Sequence, residues 1–164
     1  MILIIKDNTY KLTTSKNVRA LSPGGEIFPC TGCYQCWIRT PGICVIQDDY
    51  CRMASLLSEV DEIFLLSRMT YGSVSPFVKN VLDRSLSYML PYFEVKDDHS
   101  HHPLRYPNRF RMHYAIYGEA TEGEKETLRK IASANGKNLE AEVDVEFFTN
   151  WRELEEGMRE HWID

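Results

Sequence analysis

The stretch Glu62-Ile63-Phe64-Leu65-Leu66-Ser67-Arg68-Met69-Thr70-Tyr71-Gly72-Ser73-Val74-Ser75-Pro76 decides the fold. Its first five residues form a nearly continuous apolar run, as expected of a strand buried on both faces in a parallel sheet. A polar turn with Gly72 follows. Ser75 then reads as a helix N-cap and Pro76 as the first helical residue. Beyond it, Phe77, Val81, Leu82, Leu86, Met89 and Leu90 make a broad apolar helical face that ends at Pro91. A buried strand leading through a short turn into an amphipathic helix is half of a βαβ unit.

The same pattern repeats outward in both directions. Ile2 to Ile5 and His113 to Tyr117 are further buried strands, and Val18 to Leu21 is a weaker one placed at a sheet edge. Glu142 to Phe147 alternates strictly and lies near the other edge. Asp48 and Asp49 precede a helical stripe of Met53, Leu56, Leu57 and Val60. Thr121-Glu122-Gly123-Glu124 has capping-box spacing ahead of Leu128, Ile131, Ala132 and Leu139. Asn150 caps a last helix with Trp151, Leu154, Met158 and Trp162 inward. Residues 6–17 are rich in Asp, Asn, Thr and Ser, which compete with helical hydrogen bonding, so the helix normally following the first strand is missing. The expectation is one domain over residues 1–164, an α/β, doubly wound, parallel five-stranded sheet without its first helix. The one extended polar linker, Glu94 to Arg111, is long enough to suggest function.

With 19 basic and 24 acidic residues the formal charge is −5. That balance, with no basic run, argues against nucleic acid as a partner. Ile2 to Ile5 is shorter than the about 7–15 residues of a signal-peptide core. No window reaches the ~20 apolar residues of a membrane span. The expected location is the cytoplasm, where cysteines seldom form disulfide frameworks.

Four cysteines fall close together as Cys30, Cys33, Cys36 and Cys44, spaced C-x2-C-x2-C-x7-C. Short loops of this kind turn successive thiolates toward one centre and can wrap an iron–sulfur cluster. A zinc site and a redox dithiol built on Cys33 and Cys36 are further readings. The plainest is four unligated thiols packed as small hydrophobes. Cys51 lies beside the core stripe and receives no role.

The segment Cys30-Thr31-Gly32-Cys33-Tyr34-Gln35-Cys36 through Cys44 resembles a signature of the NADPH-dependent FMN reductase and iron–sulfur flavoprotein family. So do Ser67 to Pro76 with Lys79, Asp83 and Arg84, and the loop His101-His102-Pro103-Leu104-Arg105-Tyr106. Together these cover roughly residues 27–118. The resemblance implies a flavodoxin-like fold, bound FMN, a homodimer, and electron transfer from NAD(P)H to a small-molecule or protein acceptor. It places the flavin against Arg68, Met69, Thr70, Tyr71, Gly72 and Ser73 on one side and Tyr117 and Gly118 on the other. In the alternative, that turn is simply a strand–helix connection with a packed tyrosine.

Two departures bear on function. Family members carry a glycine- and serine-rich phosphate loop after the first strand, whereas here the sequence is Lys6-Asp7-Asn8-Thr9-Tyr10. Arg68 and Thr70 stand where the family more often has proline and an aromatic. Arg68 is the candidate to compensate for the lost cradle, since guanidinium binds phosphate bidentately. His102 and Arg105 are candidates for contacting a substrate or nucleotide phosphate. His99, His101 and His102 with Asp97 and Asp98 admit a metal, but a solvated loop is the simpler reading. The rival function is a binding or assembly module that has lost FMN; an iron–sulfur electron carrier is a third. The apolar last helix, left alone on its sheet face, predicts an uncovered flank over the first strand that a second copy or a partner protein would cover.

Overall fold

The computed structural model describes residues 1–11, 17–96 and 98–159. In chain order its elements are β1 (Ile2–Lys6), β2 (Val18–Leu21), α1 (Gln35–Ile38), α2 (Met53–Leu57), β3 (Glu62–Arg68), α3 (Pro76–Arg84), β4 (Glu94–Lys96), β5 (His99–His101), β6 (Arg111–Tyr117), α4 (Glu122–Leu139), β7 (Glu142–Phe148) and α5 (Trp151–Met158). Five strands form one parallel sheet in the order β2-β1-β3-β6-β7, and β4 pairs with β5 in a separate antiparallel hairpin. The chain passes from β1 out to β2 and returns to β3 on the other side of β1. That reversal opens a crevice at the carboxyl ends of the strands, where doubly wound sheets bind ligands.

Alternation along the strands splits the core into two layers. Leu3, Ile5, Ile63, Leu65, Met112 and Tyr114 pack with Leu56 of α2, Val78 and Val81 of α3, and Leu128 and Ala132 of α4. The opposite face buries Ile4, Phe64, Leu66 and Ala115 against Leu154 and Met158 of α5. Each fully buried aliphatic side chain contributes roughly 1.5–3 kcal/mol. The expected edge character of Glu142 to Phe147 is present: exposed and half-buried residues alternate along β7, and among the described residues no strand pairs beyond it. The capping box at Thr121 and Glu124, the Ser75 cap with Pro76, and the Asn150 cap all form.

Three expectations need correction. The helix starting at Pro76 stops at Arg84, because Ser85 donates its hydroxyl back to Val81 O at 2.9 Å, and a 3₁₀ turn over Leu86–Tyr88 follows. That turn sends Tyr88 fully into the core. Glu94 to Arg111 is not all linker, since it folds back as the β4–β5 hairpin. The flank over β1 is not bare: Ile4 and Phe64 are both 0% exposed. His113 stacks on Phe64 at 4.4 Å and pairs with Asp144 at 2.6 Å, and this face is closed by α5 with Tyr117 and Trp151 packed against it. The argument for a homodimer from an open flank therefore falls away. The missing first helix is met by non-helical backbone at residues 7–11 and 17; residues 12–16, and Trp162, lie outside the described residues. Among the described residues no helix is long and apolar enough to cross a membrane.

Candidate functional site

Sheet register brings the two predicted turns together. Arg68 pairs with Tyr117 and Tyr117 with Phe148, so β3, β6 and β7 end level. Met69 donates its amide to Tyr117 O at 2.8 Å, and Gly118 donates to Phe148 O at 3.1 Å. The Arg68 side chain lies over Gly118, whose left-handed backbone (φ 103°) has a Cβ position 3.6 Å from Arg68 Cγ. The two turns expected to form one site, Arg68 to Ser73 and Tyr117 to Gly118, do lie side by side at the carboxyl edge.

Within it the turn Thr70–Ser73 closes through two amide–carbonyl bonds of 2.9 Å, with Tyr71 at φ 50° and Gly72 at φ 75°. Two successive left-handed residues make a type I′ turn, which favours glycine. Gly72 has a second reason to lack a side chain: a Cβ there would sit 3.1 Å from Thr127 Cβ on α4. Its smallness therefore serves contact with α4, where the sequence reading assigned it to a flavin ring. The turn presents Tyr71 to solvent at 94% exposure. Ser67 anchors its base by accepting the Ser75 amide at 2.7 Å.

Asp7 sits at the head of this crevice. Its carboxylate accepts the Arg68 amide at 2.6 Å and the Tyr117 hydroxyl at 2.8 Å. Burial and the Asp7 acceptor push the Tyr117 phenol up to about 12, so it remains a proton donor at physiological pH. Lys6, also buried, donates to Asn8 O at 2.7 Å, and burial lowers its ammonium from the usual lysine value.

These contacts test the fit of FMN. A phosphate is held by unpaired amides at a helix N-terminus. Here the nearest amide and hydroxyl are already given to Asp7, residues 7–11 are not helical, and Asp7 would repel a phosphate. The phosphate subsite does not fit. Arg68 gives its backbone amide to that carboxylate, while its guanidinium arm, the group expected from sequence to hold a phosphate, lies over Gly118. At the ring end Tyr71 is exposed and the Arg68 side chain lies over Gly118.

Beside the crevice, residues 22–52 hold only α1 and the start of α2's capping turn, yet they are firmly fixed. Arg84 of α3 and Asp48 have side chains 0% and 1% exposed and form a buried ion pair. Arg84 also donates to Phe28 O at 2.8 Å and Ile46 O at 3.2 Å; Asp48 accepts the amides of Phe28 and Tyr50 at 3.0 Å. One pair thus ties both ends of the cysteine segment to α3. Burial pushes the Asp48 carboxyl up, but the Arg84 hydrogen bonds and the two amides outweigh it and hold it below the usual carboxylate range. Sequence reading took Asp48 for a helix start; the signal was Arg84, a cation on the margin of an apolar helical face.

Arg84 also lies close enough to Cys44 for the two to interact electrostatically. Burial raises the Cys36 thiol, and neighbouring Cys44, Cys30 and Cys33 raise it further, so the four cysteines gather around Cys36. Cys33 is exposed and held below the ordinary thiol value by the Gln35 amide and the Thr31 hydroxyl. Among the described residues, no three of these sulfurs come within 4.8 Å of one another, as a single zinc ion requires. A cavity of about 390 Å³ joins Cys30 and Gly32 to Ser73 and Val74, linking the segment to the crevice.

His102 and Arg105 lie away from the Tyr71 turn, against the cysteine segment. His102 Nδ1 is 2.7 Å from Tyr92 O, and its ring packs between Trp37 (4.9 Å) and Phe93 (4.4 Å). Arg105 donates from Nε to Ser87 O at 2.8 Å and flanks Gly42. Both side chains thus pack against the cysteine segment, and Arg105 Nη2 is buried without a hydrogen-bond partner.

No family model matches the chain, and no curated protein sequence matches it. Solved structures do. The Trp repressor binding protein from Bacillus subtilis is 12% identical with a TM-score of 0.53, over 99% of this chain and 94% of that one. An FMN-dependent NADH-azoreductase from Bacillus anthracis str. Ames Ancestor, in complex with FMN, is 10% identical with a TM-score of 0.57, over 97% of each chain. At these identities the likeness is one of architecture, and it agrees with the strand order: the chain has a flavodoxin-like α/β fold.

Proposed function

We propose that the chain is a flavin-linked oxidoreductase that takes its flavin as an exchangeable partner held by the ring, and passes electrons from NAD(P)H to a small-molecule or protein acceptor. The observation that carries this is the meeting of the Arg68–Ser73 turn and the Tyr117–Gly118 turn at the carboxyl edge, with Tyr71 presented beside them. The FMN-bound azoreductase among the fold neighbours supports it. A bound flavin supplies the redox chemistry itself; the protein positions and tunes it. Here Tyr71 offers a stacking surface, and Arg68, lying over Gly118, gives the crevice a cation. Tyr117 holds its proton on the bond to Asp7 and is not assigned as an acid or base.

The test is titration of the purified protein with FMN and with riboflavin, followed by flavin fluorescence. Both are expected to bind, with no advantage to the phosphorylated form, and the protein is expected to be colourless as purified. Markedly tighter binding of FMN would overturn the closed phosphate subsite. Failure of both flavins to bind would leave the second reading, a binding or assembly module, which Asp7's occupation of the crevice favours.

A separate reading concerns the thiols. The opposed shifts of Cys33 and Cys36, one exposed and lowered and one partly buried and raised, suit an attacking and a resolving thiol of a redox pair. The gathering of all four around Cys36 suits an iron–sulfur cluster instead. Iron and acid-labile sulfide in anaerobically prepared protein decide between them: a dithiol needs neither.

A further inference from the structure

We propose that Glu94, His101 and Glu140 form a binding site for a first-row divalent transition-metal ion at the amino end of the sheet, away from the flavin crevice. The three come from three elements. Glu94 on β4 and His101 on β5 are directly opposite in the hairpin ladder, so their side chains share one face. Glu140 caps the carboxyl end of α4. One ligand atom from each lies within 4.8 Å of the other two.

The distances fit an ion. His101 Nε2 is 3.3 Å from Glu94 Oε1, close to the about 3.3 Å separating two ligand atoms bound tetrahedrally at about 2.0–2.1 Å. His101 Nε2 is also buried and, apart from that ion-pair contact with Glu94, makes no hydrogen bond, so its ring nitrogen faces two carboxylates. Arg109 donates from Nε and Nη2 to Glu140 Oε2 at 3.1 and 2.7 Å, orienting the carboxylate as an outer partner orients a metal ligand. Glu140 adopts a left-handed backbone, φ 48° and ψ 40°, where glycine would be the cheaper residue. His99 lines the same cavity of about 890 Å³, which has room for water or a further ligand.

The chemistry of the donors selects the ion. One imidazole with two carboxylates suits manganese, iron, cobalt or zinc, whereas calcium and magnesium prefer oxygen donors alone. Arg109 offsets one carboxylate, and Arg129 and Lys137 also border the cavity, so the site is not a general cation trap. Bound metal would pin the β4–β5 hairpin to the carboxyl end of α4.

Cobalt(II) is the probe, because thiolate and nitrogen–oxygen ligation differ in its spectrum. Chelator-treated protein titrated with cobalt is expected to bind one equivalent with weak visible d–d bands and no sulfur-to-metal charge-transfer band, displaced by zinc. His101→Gln and Glu94→Gln should each weaken that binding by at least about tenfold, while Cys36→Ser leaves it unchanged. Glu94→Gln is isosteric, so it reports even if His101→Gln disturbs the hairpin; circular dichroism checks the fold of both. Cobalt bound only with a thiolate band, or bound equally well by both variants, would overturn the site.

Discussion

The carboxyl edge of the sheet and the cysteine segment beside it are positioned in different ways. At the edge, strand register does the work: β3, β6 and β7 end level, and the turns beyond them are fixed by backbone amide–carbonyl bonds within and between them. In the segment 22–52 there is almost no regular structure to do this. A single buried ion pair, Arg84 with Asp48, gathers Phe28, Ile46 and Cys44 instead. The first arrangement spreads its stability over many weak contacts; the second concentrates it in one strong one. Loss of a single side chain should therefore be felt very differently in the two regions.

Asp48→Asn should have the largest effect. It leaves the Arg84 guanidinium buried without its counter-charge, which costs about 3–5 kcal/mol, read as a lowered midpoint in urea unfolding. The pH dependence has a definite sign. Asp48's folded-state value is depressed, so its contribution is complete at neutral pH and lost as pH falls through that depressed value. The mutant should lack that acid-side loss; an unchanged acid profile would break the contrast between the regions.

Asp7→Asn comes next. Hydrogen bonds to a charged acceptor contribute about 1.5–3 kcal/mol, and the substitution keeps a neutral acceptor, so a smaller loss than at Asp48 is expected. The Tyr117 phenol should titrate below its present value of about 12, because the carboxylate that holds its proton is gone. Ultraviolet pH titration reads this directly. The variant should also bind FMN better relative to riboflavin; no change in that ratio would show that Asp7 does not govern the phosphate end.

Thr121→Ala tests the backing of the Tyr71 turn. It removes the α4 capping box, worth about 1 kcal/mol, and α4 is the element that Gly72 leans on through Thr127. The smallest effect is chemical. Cys33 should alkylate with iodoacetamide at lower pH than Cys36, since the first thiol is lowered and the second raised; mass spectrometry of the modified peptides separates them. Equal pH profiles would mean that the segment does not distinguish its thiols.

Much of the architecture was legible from local pattern. Ile63 to Leu66 and Tyr114 to Ile116 are apolar on both faces, and the structure buries them on both. The β4–β5 hairpin was not legible, because Val95 is 77% exposed and the pairing rests on Glu94 facing His101, which no apolar alternation signals. The early end of α3 was hidden for a similar reason: Leu86, Met89 and Leu90 continue the helical spacing although Ser85 breaks the backbone. At the candidate site, the turn residues were visible through Gly72 and Ser75-Pro76. The meaning of Asp7 was only half visible, as a charge that would repel phosphate.

Residue type and spacing by themselves determined the strands, the caps and the lack of glycine after β1, because propensity, capping and apolar periodicity act over a few neighbours. Only the tertiary structure decided that Asp7 reaches Arg68 and Tyr117, 61 and 110 positions away, that Arg84 staples the cysteine segment, and that Glu94, His101 and Glu140 converge. Such contacts join polar side chains across long loops, and they depend on where the packed sheet leaves its ends, which no local pattern encodes.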